Sequence, residues 1–196
     1  MTKFSDVYNR FLDKITDDMY MVLTPEDTVK DLQHLLINAI PGFEFPRKRL
    51  DEYRIDVEEK YNHEVEDGEM IIGYVWNDLE TDQYPDEAPS QKVIVDHSYF
   101  EADLTAEEIN ILAILMLEGW VQRQVTSIEN TRMKYSGTDF KMTSQANHLA
   151  KLLALLSEIQ RQSLHMQRLY KRRRTNDEGQ IESNWDVLRH GVYDAN

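Results

Sequence analysis

Leu104-Thr105-Ala106-Glu107-Glu108-Ile109-Asn110-Ile111-Leu112-Ala113-Ile114-Leu115-Met116-Leu117 decides how the fold is read. Thr105 is a strong N-cap, and Glu108, three residues on, closes a capping box. Leu104 and Ile109 stand where a hydrophobic staple would pack. From Ile109 to Leu117 the run is apolar almost all the way round, so this helix is expected to be buried on several sides. It should continue to about Val125. A polar connection follows, and Asp139-Phe140-Lys141-Met142-Thr143-Ser144-Gln145-Ala146-Asn147-His148-Leu149 leads into another helix, from about Gln145 to Arg172. That helix places Leu149, Leu152, Leu156, Ile159, Met166 and Tyr170 at helical spacing, with Ser163 at a small position. Its roughly 28 residues would span about 42 Å.

The N-terminal side is expected to hold two more helices. Phe4, Val7, Tyr8, Phe11, Ile15 and Met19 keep one face from about Phe4 to Met19. Thr24 then caps a helix with Pro25 at its first position. Val29, Leu32, Leu36 and Ile40 form its stripe, and Pro41-Gly42 stops it. Between residues 43 and 68 the pattern is weak, and a short helix near Pro46 to Lys60 is expected. Met70-Ile71-Ile72-Gly73-Tyr74-Val75-Trp76 and Lys92-Val93-Ile94-Val95 have the β-branched and aromatic content of strands. They read as a hairpin whose long acidic tip spans Asn77 to Gln91, the competing reading being two unrelated edge strands. A loop of that length in a compact domain is often functional.

Composition bounds the rest. The 196 residues, 41% hydrophobic and 30% charged, suit a folded chain with a real core. The longest apolar run is about nine residues, well short of the roughly 18 to 20 of a membrane span. Met1 to Asp6 lack the apolar core of a secretory signal, so synthesis in a cytoplasm is expected. The absence of cysteine excludes disulfides, thiolate zinc sites and cysteine nucleophiles. Charge is lopsided: residues 1–104 carry 25 Asp and Glu against 10 Lys and Arg, while residues 105–196 carry 11 against 12. Phosphate contacts need cations, so free nucleic-acid binding through the N-terminal half is not expected.

Catalytic signatures are missing. Seven glycines, spread singly, leave no phosphate loop. His63-Glu64-Val65-Glu66-Asp67-Gly68-Glu69 lacks the order of a calcium loop and reads as a solvated acidic turn. Asp96-His97 reads as a surface hydrogen bond rather than an acid–base couple, and His148 and His165 stand too far apart to ligate together. No catalytic residue, metal ligand or cofactor is therefore assigned. Lys171-Arg172-Arg173-Arg174 suits a helix C-terminus, yet three consecutive arginines exceed what a helix end requires. Beyond the turn at Thr175 to Gln180, Trp185, Val187, Leu188 and Tyr193 make the tail apolar enough to be tied down somewhere.

Asp103-Leu104-Thr105-Ala106-Glu107-Glu108, then Met116 and Trp120, then Asp139-Phe140 and Ser144-Gln145-Ala146-Asn147-His148-Leu149 resemble the neck proteins of large tailed bacteriophages. These are head-to-tail connector or head-completion proteins. The resemblance covers about residues 100 to 170, and its motifs are structural. It implies a virion subunit, not an enzyme, in a homo-oligomeric ring, commonly twelvefold in such necks. That ring would sit between portal and tail or neighbouring neck proteins, with DNA passing through unbound.

The expected fold is mainly α: a helical bundle with two long C-terminal helices and a β-hairpin insertion. Residues 1–174 form the body, with the insertion near 70–100, and 175–196 form a C-terminal extension. Lys171, Arg172, Arg173, Arg174, Trp185, Leu188 and Tyr193 are the expected partner-binding residues. Asp78, Glu80, Asp82, Asp86 and Glu87 are expected to face DNA or solvent. Two other classes stay open: an acidic, DNA-mimicking inhibitor of a DNA-binding enzyme, and an enzyme whose site follows no motif named above. Mimicry needs carboxylates in rows, whereas these concentrate in expected loops.

Overall fold

The computed structural model describes residues 1–15, 20, 23–61, 64–66, 69–75, 92–134, 143–175 and 181–182. The chain opens with β1 (Thr2–Lys3), which runs straight into α1 (Phe4–Leu12). This helix is shorter than the apolar spacing suggests. After Leu12 the amides of Lys14 and Ile15 turn back to the carbonyls of Phe11 and Leu12, tightening the chain out of the α geometry. Helix α2 (Pro25–Ala39) begins as expected: the Thr24 hydroxyl accepts from the Asp27 amide at 3.2 Å and Pro25 takes the first position. A 3-10 turn over Ile40–Gly42 ends it. A side chain at Gly42 would begin 3.1 Å from the Leu115 side chain, so glycine permits a close approach here.

Strands replace the short helix expected near Pro46 to Lys60. They are β2 (Tyr53–Arg54) and β3 (Val57–Tyr61), followed by β4 (Ile71–Val75), β5 (Lys92–Asp96) and β6 (Tyr99–Phe100). Val57 and Tyr61 supply β-prone side chains, and pairing with β5 outweighs the helix propensity of the charged residues between them. The β4–β5 hairpin matches expectation. Its tip, with Asp78, Glu80, Asp82, Asp86 and Glu87, lies outside the described residues.

Two antiparallel sheets result, in the orders β1-β6-β2 and β3-β5-β4. They share one register along the chain, since Arg54 faces Tyr99 and Val57 faces Asp96. Between these pairs the His97 amide donates to the Asp56 carbonyl at 2.8 Å. Ile72 forms a bulge in β4, and Gly73 beside it sits against Pro25, where a Cβ would lie 2.9 Å from the proline ring. Lacking a side chain, Gly73 lets the sheet lie against the start of α2.

Helix α3 (Ala106–Lys134) starts as expected but runs further. The Thr105 hydroxyl accepts from the Glu108 amide at 3.3 Å, while the Glu108 carboxylate accepts from the Thr105 amide at 2.7 Å. That is a reciprocal capping box with Glu108 buried. Removing the hydroxyl in Thr105→Ala should lower stability by about 1 kcal/mol. An unchanged urea midpoint would contradict the cap. Ile111 to Met116 are all buried, as an all-round apolar helix requires.

Helix α4 (Thr143–Arg172) buries a single stripe: Leu149, Leu152, Leu156, Ile159, Ser163 and Tyr170. Short strands β7 (Arg174–Thr175) and β8 (Ile181–Glu182) pair after it. The chain is mostly helical with two long C-terminal helices, but it is not a simple bundle, because the sheets carry part of the core. It divides into two compact units: Met1–Gly42 with Pro46–Trp120, and Phe43–Phe45 with Val121–Asn196. The boundary falls within α3.

Candidate functional site

On the first unit, β3 and the end of β5 assemble a charged cluster. By the pleat, Glu58 and Lys60 share a face with Val93 and Val95, the face opposite Asp96. The Lys60 ammonium lies 2.9 Å from both Glu58 Oε1 and Glu69 Oε1. His97 Nε2 lies 2.9 Å from the same Glu58 oxygen and 3.4 Å from the same Glu69 oxygen. One ammonium and one imidazole thus bridge two carboxylates. The Asp96-His97 pairing expected from sequence does not form: adjacent strand residues point to opposite faces, and His97 turns to Glu58 instead. Glu69, expected in a solvated turn, is drawn into the cluster, with its side chain only 10% exposed.

The hydrogen bond from Lys60 is the main cause holding both glutamates below the usual carboxylate range. The reciprocal bonds, with Glu58 foremost, push Lys60 above its own. The glutamates' stabilising contribution is therefore present above their ordinary value of 4.5 and lost as pH falls through the lowered folded values. The Lys60 contribution is present below 10.5 and lost only as pH rises past its raised value. The stability gap between wild type and Lys60→Met should be flat through neutral pH and shrink in acid below about pH 4. Urea midpoints measured across pH check this; a gap constant from pH 3 to 7 would contradict it.

The opposite face holds a buried polar group. Asp96 accepts from the Ser98 amide at 2.8 Å and from the Gln33 side chain at 3.3 Å. The Ser98 hydroxyl accepts from the Asp56 amide at 3.0 Å. Tyr8 is fully enclosed nearby, and its hydroxyl makes no hydrogen bond of good geometry. Burial first, then the Asp96 carboxylate, pushes this phenol above its usual range, so it stays protonated and is no base. These groups join α2 to β5. Among the described residues, no group of three or more His, Cys, Asp or Glu side chains is placed to hold a metal ion. Nor is any described helix long and apolar enough to cross a membrane.

On the second unit, the end of α4 carries the expected cations. Lys171, Arg172 and Arg173 are exposed, while Arg174 enters β7. The Lys171 ammonium sits 3.8 Å over the ring of Phe45 in a cation–π contact. Beneath it, the Gln167 side chain is buried, accepting from the Glu44 amide at 2.8 Å and donating to Ser163 Oγ at 3.3 Å. Phe43 meets Tyr170 edge to face, with ring centres 5.5 Å apart. The Arg173 amide turns back to the carbonyls of Leu169 and Tyr170, which closes the helix. The helix end is thus built on the Phe43–Phe45 segment, a feature the polar residues Ser163 and Gln167 concealed in sequence. Trp185, Leu188 and Tyr193 lie outside the described residues.

Compared with known proteins, the chain matches no family model, and no curated protein or solved structure is significantly similar to it.

Proposed function

We propose that this chain is a structural subunit of a tailed-bacteriophage neck, one copy in a ring between portal and tail through which DNA passes. The observation that carries the reading is the exposed cationic end of α4, with Lys171, Arg172 and Arg173, in a chain whose N-terminal half has 15 more acidic than basic residues. A cyclic ring joins one surface of a subunit to a different surface of the next, and opposite charges steer such contacts. An acidic lumen lets DNA pass without gripping its phosphates. A DNA mimic would instead need carboxylates free to stand in for phosphates. Glu58 and Glu69 are tied to Lys60 and His97, and Asp51 and Glu52 to Arg49, so these four carboxylates are not free to imitate phosphates.

The double variant Arg172→Glu, Arg173→Glu tests it. Exposed charges at a helix end contribute only about 0.3–1 kcal/mol each, so the isolated fold should survive. Assembly should fail, leaving particles that package DNA but lose it through an incomplete neck. Normal assembly with only a lower unfolding temperature would reduce the cluster to a helix cap. Loss of a steeply salt-dependent affinity for duplex DNA would make it a phosphate grip and sink the neck reading.

A further inference from the structure

Strand β3 is an edge strand: β5 pairs it on one side, and among the described residues no strand pairs the other. The His97 amide bonds to the Asp56 carbonyl, so Asp56 faces inward. By antiparallel alternation, Glu58 and Lys60 also face inward, and the backbone groups of Val57, Glu59 and Tyr61 point outward. The Tyr61 amide confirms the direction, since it donates to the Glu64 carboxylate at 3.2 Å. Three large apolar side chains are exposed along this edge, with the charged Glu58, Glu59 and Lys60 between them. Ile55 is 50% exposed, Val57 39% and Tyr61 36%, and all three fall on one face by their alternation. Such an edge is a template for a further strand.

We propose that the open edge of β3 pairs antiparallel with β3 of a second copy, making a two-fold dimer of the free chain. The sequence Val57-Glu58-Glu59-Lys60-Tyr61 is complementary to its own reverse. Centred on Glu59, the register sets Val57 opposite Tyr61, Glu58 opposite Lys60, and their two-fold mates likewise. Two apolar and two opposite-charge cross-strand pairs follow, each of a kind that stabilises sheets. Outward-pointing Val57, Glu59 and Tyr61 then exchange main-chain hydrogen bonds with the partner, the partner's Val57 carbonyl replacing the Glu64 carboxylate on the Tyr61 amide. Only Glu59 meets its own copy, a like-charge pair that weakens the contact and keeps it reversible. Moving the register by two residues sets Glu58 against its own copy in one direction and Lys60 against its own copy in the other, and either shift loses the Val57–Tyr61 pairs. The inference does not rest on the neck reading, because it concerns the chain before any assembly.

Sedimentation equilibrium of the wild-type chain at physiological ionic strength, where salt screens the overall negative charge, provides the test. A concentration-dependent dimer is expected. Glu59→Gln should tighten it about two- to fivefold by removing the like-charge pair. Glu59→Pro removes an outward donor without touching the β3–β5 ladder, and Val57→Lys places a charge on the edge. Both should be monomeric with unchanged far-ultraviolet circular dichroism. Should Glu59→Pro not fold, Val57→Lys and Glu59→Gln still decide. A wild type that stays monomeric up to high micromolar concentration overturns the proposal. So does a dimer, or any larger assembly, that is indifferent to Val57→Lys and Glu59→Gln.

Discussion

Leu112→Asp is expected to abolish soluble folding. Leu112 is fully buried in the middle of the run Ile111 to Met116, where every residue is enclosed. A carboxylate there has no cationic partner on its own helix within the apolar run, and leaving it unpaired costs several kcal/mol. Domains of this size are stable by about 5–15 kcal/mol, so the loss takes most of the margin. The variant should appear in the insoluble fraction or lack helical circular dichroism. A soluble variant with wild-type helicity would contradict the central placement of α3.

The second large effect is expected at Phe4. Its ring is fully buried, with centres 4.6 Å from Phe100, 5.8 Å from Tyr53 and 6.1 Å from Tyr8. Its amide donates to the Ser98 carbonyl at 2.8 Å, so one residue ties α1 to the β1-β6-β2 sheet. Phe4→Ala removes the ring from all three aromatic contacts and should cost about 3–5 kcal/mol. Chemical unfolding measures this directly. A loss below about 1 kcal/mol would mean that the site collapses around the deletion or that the aromatic cluster is not formed.

Local signals with a single physical meaning were legible in the sequence. Thr105 with Glu108 and Thr24 with Pro25 mark helix starts because they satisfy amides that nothing else can reach, and both starts stand in the structure. The strands β4 and β5 were legible because β-branched and aromatic residues dominate them. Strand β3 was not, since Glu58, Glu59 and Lys60 are good helix formers and only pairing with β5 makes them extended. The short strands β1, β2 and β6, of two residues each, are too brief to carry a periodic signal. The cluster of Glu58, Lys60, Glu69 and His97 depends on registers between distant segments, which no local pattern encodes. By contrast, the cations ending α4 were legible as a run, because adjacent charges need no tertiary pairing to be seen together.

The measurement that bears most directly on the neck proposal is the position of this chain in a native particle. A labelled chain imaged in intact virions at low resolution is sufficient. The proposal predicts density for the label in a closed ring at the junction of head and tail, coaxial with the DNA. A chain absent from purified particles, or found elsewhere in them, would contradict it.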